Sequence, residues 1–131
     1  MVAAMNIIEL TLPIRTVNES NTRGGWQARS RRTKAARHTA HMALSLPLLA
    51  VRQQLAQLAI ARVSITLTRI SPGKTDTDGT VSALKATRDG VADALGVDDG
   101  SPLLVWSYGQ RKGKPREYGV VVRIETEEQG G

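Results

Sequence analysis

The chain has 131 residues, a formal net charge of +6 and an isoelectric point near 10.3. That length suits one domain with a modest core, and the charge favours a polyanionic partner, nucleic acid or an anionic membrane surface. The absence of cysteine excludes disulfides and cysteine-ligated zinc or iron–sulfur sites and fits a reducing cytoplasm.

Phenylalanine is absent and aromatic residues make up 3% of the chain, so the core has to be aliphatic. No apolar run approaches the length of a membrane span, and the N-terminus does not read as a signal peptide. Asn6 to Leu12 reads as a strand with Ile8, Leu10 and Leu12 on one face, ended by Pro13. Residues 14–29 read as a long loop rich in Asn, Ser, Gly and Arg, inside a basic segment spanning 15–33. Arg23, Arg29, Arg31, Arg32 and Lys34 in and after it are candidates for phosphate contact. Trp26, beside Gly24-Gly25, can stack on a base or plug an apolar gap. Ser30 or Thr33 can cap a helix running to about Ser45, with Ala36, Ala40, Ala43 and Leu44 inward. His38 and His41 lie three apart with no third ligand nearby in sequence, which reads as surface histidine. Pro47 breaks that pattern and suits the first turn of a second helix to about Leu58, with Leu48, Val51, Leu55 and Leu58 inward.

Ala61 to Ile70 is the clearest strand, Val63, Ile65 and Leu67 alternating with Ser64, Thr66 and Thr68. The loop Ser71-Pro72-Gly73-Lys74 then delivers Asp76. All six aspartates lie between Asp76 and Asp99 in this otherwise basic chain. On an extended chain Asp76 and Asp78 point to the same side. Asp78 reads as the N-cap of a helix starting near Thr80, with Val81, Leu84, Val91 and Leu95 as its core stripe. Asp78, Ser82, Lys85 and Asp89 fall within about 40° of one another on another face. Gly96 is a plausible C-cap, followed by Asp98 and Asp99.

A hard divalent cation such as Mg²⁺, or Mn²⁺, takes oxygen ligands. Asp76, Asp78 and one of Asp98 or Asp99 can supply them. Lys85 can stabilise charge on a scissile phosphate, and Lys74 adds a cation just before the pair. D-x-D alone is common in turns and caps, and Asp-Asp-Gly is an ordinary turn. Their conjunction with a helix bearing lysine on the same face points to metal-assisted phosphodiester hydrolysis. Beyond them, Leu103 to Gln110 and Arg116 to Glu125 read as strands joined by a basic turn, with 126–131 a flexible tail. Trp106 and Tyr108 read as core or interface residues. The expected order is β-α-α-β-α-β-β, a single domain over 1–131 in which a mixed sheet is packed with helices, an α/β or α+β fold.

Asp76-x-Asp78, the helix with Lys85 and Asp89-Gly-Val, and the closing Asp98-Asp99 resemble the RusA-type crossover junction endodeoxyribonucleases, many of them encoded by phages and prophages. The opening strand ending in Pro13, Asn18 in the following loop and the basic helix after it extend the resemblance over most of the chain. The resemblance implies Asp76, Asp78 and Asp99 as metal-binding carboxylates and Lys85 as the required lysine. It also implies a homodimer acting on four-way DNA junctions, in a bacterial or phage-infected cytoplasm and away from membranes. Gly79 departs from the usual Asn after the second aspartate. Lys85 stands one turn beyond the lysine of the best-known member, a position held here by Ser82.

Three functions follow from these residues. The first is a Mg²⁺-dependent endonuclease resolving Holliday junctions and other branched DNA in recombination and repair. The second is a non-catalytic DNA-binding protein of the same fold that has lost nuclease activity. The third is an oxygen-ligand metal site for a small anionic substrate, against which the long basic segment argues.

Overall fold

A computed structural model describes residues 5–16 and 25–128. Four strands and three helices follow in the order β1 (Met5–Leu12), α1 (Trp26–Ser45), α2 (Leu49–Ala56), β2 (Ile60–Ser71), α3 (Thr77–Leu95), β3 (Leu104–Lys112) and β4 (Gly119–Glu128). The strands form one sheet in the order β1-β4-β2-β3. β4 pairs antiparallel with both β1 and β2, whereas β2 and β3 are parallel and joined by α3. A parallel pair needs a long crossover, and the helix supplies it. The mixed α+β sheet expected from the strand and helix patterns is therefore the observed architecture.

Period-two alternation decides the register. Ile65 stands opposite Ile124 and Leu67 opposite Val122, while Ile8 and Leu10 meet the same two residues from the other side of β4. A slip of one residue would turn all of these away from the helices. They belong to one cluster with Ala40, Leu44, Leu48, Val51, Leu55, Leu84, Val91 and Leu95, so the helices cover one face of the sheet. The opposite face carries Ser64, Thr66, Ser107, Arg123 and Glu9.

Several expected boundaries shift, each for a local reason. α1 begins at Trp26 with Gly25 as its N-cap, not at Ser30 or Thr33, so Arg29, Arg31, Arg32 and Lys34 are helical. Trp26 lies in the first turn, 73% exposed, and plugs nothing. Ala40 and Leu44 are sealed and Ala36 is half-buried, but Ala43 is exposed. α2 ends at Ala56. The chain leaves it through Leu58 at a left-handed φ of 57°, which turns that side chain outward to 75% exposure. β4 runs on to Glu128, where the sequence suggested a tail from 126: Thr126 is buried and pairs with Val63. Arg23, Asn18 and residues 129–131 lie outside the described residues.

The largest shift is at α3. Asp76, not Asp78, is the N-cap: its Oδ1 accepts the backbone N–H of Gly79 at 2.7 Å, and Thr77 opens the helix. Asp78 lies within the first turn, so the two carboxylates do not alternate on an extended chain. The earlier start also rotates the assignment of faces. Val81 is 38% exposed, and Thr80, Thr87 and Gly90 join Leu84, Val91 and Leu95 on the buried side. Gly96, at φ 73°, caps the other end as expected.

Gly90 explains how closely α1 and α3 pack. A Cβ built there would stand 2.4 Å from the Arg37 carbonyl oxygen and 2.6 Å from the Ala40 Cβ. Only glycine permits that approach. No described helix is long and apolar enough to cross a membrane.

Candidate active site and nucleic-acid groove

The loop delivering Asp76 is held from two sides. The Arg69 guanidinium donates from Nη1 to the Gly73 carbonyl at 3.0 Å and from Nε to Thr16 Oγ1 at 2.8 Å. The Gln110 amide, at the end of β3, accepts from Thr75 N–H at 3.1 Å and donates to Thr75 C=O at 2.6 Å. Two strands thereby fix the residue before the D-x-D pair, and the cap bond fixes Asp76 itself. Lys74 is exposed beside them. Neither Arg69 nor Gln110 was a candidate from sequence, because a strand residue's polar partners come from distant loops.

The other acidic element folds back on α3. Asp98 starts a turn, its Oδ1 accepting from Gly100 N–H at 2.8 Å. Asp99 is gripped by Arg88, whose Nε donates to Oδ2 at 2.9 Å and whose Nη2 donates to the Asp99 carbonyl at 3.1 Å. The same guanidinium donates to Tyr108 Oη at 2.6 Å and lies over the Trp106 ring, 4.7 Å from its centroid. Trp106 Nε1–H closes the knot by donating to the Asp99 carbonyl at 2.8 Å. Tyr108 and Trp106 are thus core residues with a second duty. Arg88 is the site residue that sequence reasoning missed; its one available signal was the spacing Arg88 to Asp89 beside the resemblance segment.

Lys85 reaches both acids of this end. Its Nζ is 2.7 Å from Asp89 Oδ1 and 3.7 Å from Asp99 Oδ2. The hydrogen bond to Asp89 raises the ammonium above its ordinary value, so Lys85 carries charge at neutral pH and is no base. For Asp99, desolvation disfavours the carboxylate. The Lys85 charge and the Arg88 hydrogen bond outweigh it and hold the group below the ordinary 3.8. Asp93 is held low chiefly by the bidentate Arg37 hydrogen bonds of 2.7 and 2.9 Å, which tie α1 to α3.

Of the expected metal set, Asp76 and Asp78 share the first turn of α3 and are exposed. Asp99 lies with Lys85 and Arg88, which stand seven and ten residues after Asp78, about 10 and 15 Å of helix rise. Among the described residues, no group of three or more His, Cys, Asp or Glu is placed to hold one metal ion. Mg²⁺ requires less: it commonly takes one or two carboxylates and completes its shell with water and phosphate oxygens. Asp76, with Oδ2 not used by the cap, and Asp78 fit that donor set.

Next to the acids is a groove of about 200 Å³ between the β1–α1 connection, α1 and α3. Arg15, Thr16, Arg32, Thr33, Ser82 and Lys85 line it, and none of its described lining residues is acidic. Of the candidate DNA contacts, Arg32 is in this groove; Arg29 and Arg31 follow the same helix outward. No family model matches the chain, and no curated protein matches it.

Proposed function

We propose that the protein is an endodeoxyribonuclease that binds branched DNA, a four-way junction in the first place, and hydrolyses a phosphodiester. The observation that carries this reading is the position of Lys85. It lines the cationic groove while lying 3.7 Å from Asp99, the aspartate that the family resemblance pairs with it functionally. A phosphate entering past Arg15 and Arg32 meets a fixed ammonium at the edge of the acidic segment.

Each residue then has a task. Arg32 and the outward arginines of α1 supply affinity by releasing counterions. Lys85, kept protonated by Asp89, stabilises charge developing on the phosphate. Arg88 holds Asp99 and fixes the loop geometry, while Arg69 and Gln110 fix the loop ahead of Asp76. Asp76 and Asp78 would hold Mg²⁺ or Mn²⁺, which when bound supplies Lewis-acid charge and an activated water. A homodimer would present two such sites to a roughly twofold substrate.

One observation favours a second reading, a DNA-binding protein without chemistry: Asp99 is engaged by two cations and joins no carboxylate cluster. Incubating the protein with a synthetic four-way junction, with and without Mg²⁺ or Mn²⁺, separates the two. Metal-dependent nicking abolished by Asp78→Asn, with binding retained, supports the nuclease. Tight binding with no nicking under any divalent metal supports the second reading.

A further inference from the structure

Arg69 is nine-tenths buried, yet both hydrogen bonds of its guanidinium run to neutral oxygens, Thr16 Oγ1 and the Gly73 carbonyl. Among the described residues no carboxylate pairs with it. A guanidinium carries five N–H donors and is always charged, and a buried charge without a counter-ion is unfavourable. Thr16, itself 6% exposed, is the link: its hydroxyl is bonded to Arg69 from behind, and it lines the groove in front. Arg15, Arg32 and Lys85 bring three more cations to that groove, Arg15 held over the Tyr118 ring at 4.4 Å. Thr33 and Ser82 add hydroxyl donors on its two helical walls.

Four cations and three hydroxyls around one small groove repel one another unless an anion sits among them. We propose that this groove is a phosphate-binding subsite, with Arg69 as the buried cation behind its wall and Thr16 as the hydroxyl that joins the two. The ligand is one phosphate group, an internal phosphodiester or a terminal phosphate of a nucleic-acid strand. Set beside the D-x-D loop that Arg69 also anchors, such a subsite would fix the strand's register relative to Asp76. That last consequence rests on the nuclease reading; the phosphate site does not.

The test uses short probes that need no cleavage. The thymidine dinucleotide with and without a 5′-phosphate, pTpT and TpT, is titrated into the full chain without divalent metal, followed by amide chemical shifts. Shifts at Thr16, Thr33 and Ser82 are expected. Equal affinity for both probes assigns the internal diester, and a preference for pTpT the terminal phosphate. Arg69→Gln, which keeps a polar side chain for Gly73, should weaken the bound probe at least about tenfold, as loss of a charged hydrogen-bond donor does. It should also lower the salt slope of junction binding by about 0.9. Thr33→Glu puts a negative charge on an exposed wall residue, leaves the core untouched and should weaken the probe similarly. Unchanged affinity in Thr33→Glu, or shifts confined to other surfaces, overturns the proposal even if Arg69→Gln fails to fold. A protein that cuts junctions without binding these probes here loses only the subsite. One that binds them here and never cuts loses only the nuclease reading.

Discussion

Gly90→Ala is a sharp test of how the groove is built, because two opposing effects can be weighed. In an exposed helix interior the change would stabilise by about 1 kcal/mol through propensity alone. Here the new methyl would lie 2.4 Å from the Arg37 carbonyl oxygen and 2.6 Å from the Ala40 Cβ. A backbone oxygen cannot swing aside as a long side chain can. Restoring ordinary contact means moving α1 away from α3 by about 1 Å, and a gap of that size forfeits a quarter to a half of each dispersion contact across it. Ala40 and Leu44 on one side and Leu84 and Val91 on the other would loosen, all of them sealed in the native fold. Overpacking of this kind typically costs about 1–3 kcal/mol, with backbone clashes at the upper end. The net expectation is destabilisation by about 2 kcal/mol, seen as a lower urea midpoint with unchanged m. Since α1 and α3 also form the two walls of the cationic groove, junction affinity should fall with stability. A Gly90→Ala protein as stable as wild type or more so would show that propensity wins and that the close approach of the helices is not required.

Asp76→Ala should reduce stability by about 1 kcal/mol through loss of the N-cap, whereas Asp78→Asn should leave the melting temperature nearly unchanged. Equal melting shifts would put the cap elsewhere. Lys85→Ala should slow junction cleavage at least about tenfold while leaving binding within a few-fold, and single-turnover rates equal to wild type would reduce Lys85 to a surface charge. Leu58→Gly should be neutral or stabilising by up to about 1 kcal/mol, because glycine relieves the left-handed backbone and no buried contact is lost; a clear loss in urea denaturation would contradict this. Acid stability follows from Asp93 and Asp99, both held below 3.8. Their contribution is fully present above that unfolded value and is lost as pH falls through the lower folded values. Arg37→Gln should therefore flatten the loss of stability below pH 3.8, and an unchanged acid limb would remove Asp93 from the account.

Period-two alternation and helical spacing determined most of the fold without any long-range information. Val63, Ile65 and Leu67 announce a half-buried strand, and Pro13, Pro47 and Gly96 punctuate their elements, because these signals are carried by adjacent residues. Helix starts were less legible. Either Asp76 or Asp78 can cap by chemistry, and the choice depends on where β2 and the Arg69 and Gln110 contacts release the chain. The acidic segment was visible as composition, and Lys85 as a residue on its face. What only the tertiary structure decided is which charges meet. Arg88 finds Asp99, Tyr108 and Trp106 because the turn after α3 folds back along the helix and the parallel register brings β3 beside β2. Arg69 lies behind Thr16 because β1 and β2 are separated by β4 in the sheet while the β1–α1 connection passes over the end of β2. Pairings between residues 11 and 53 positions apart leave no mark on local periodicity. They are set by the packing of the sheet and helices, which fixes where each side chain can reach.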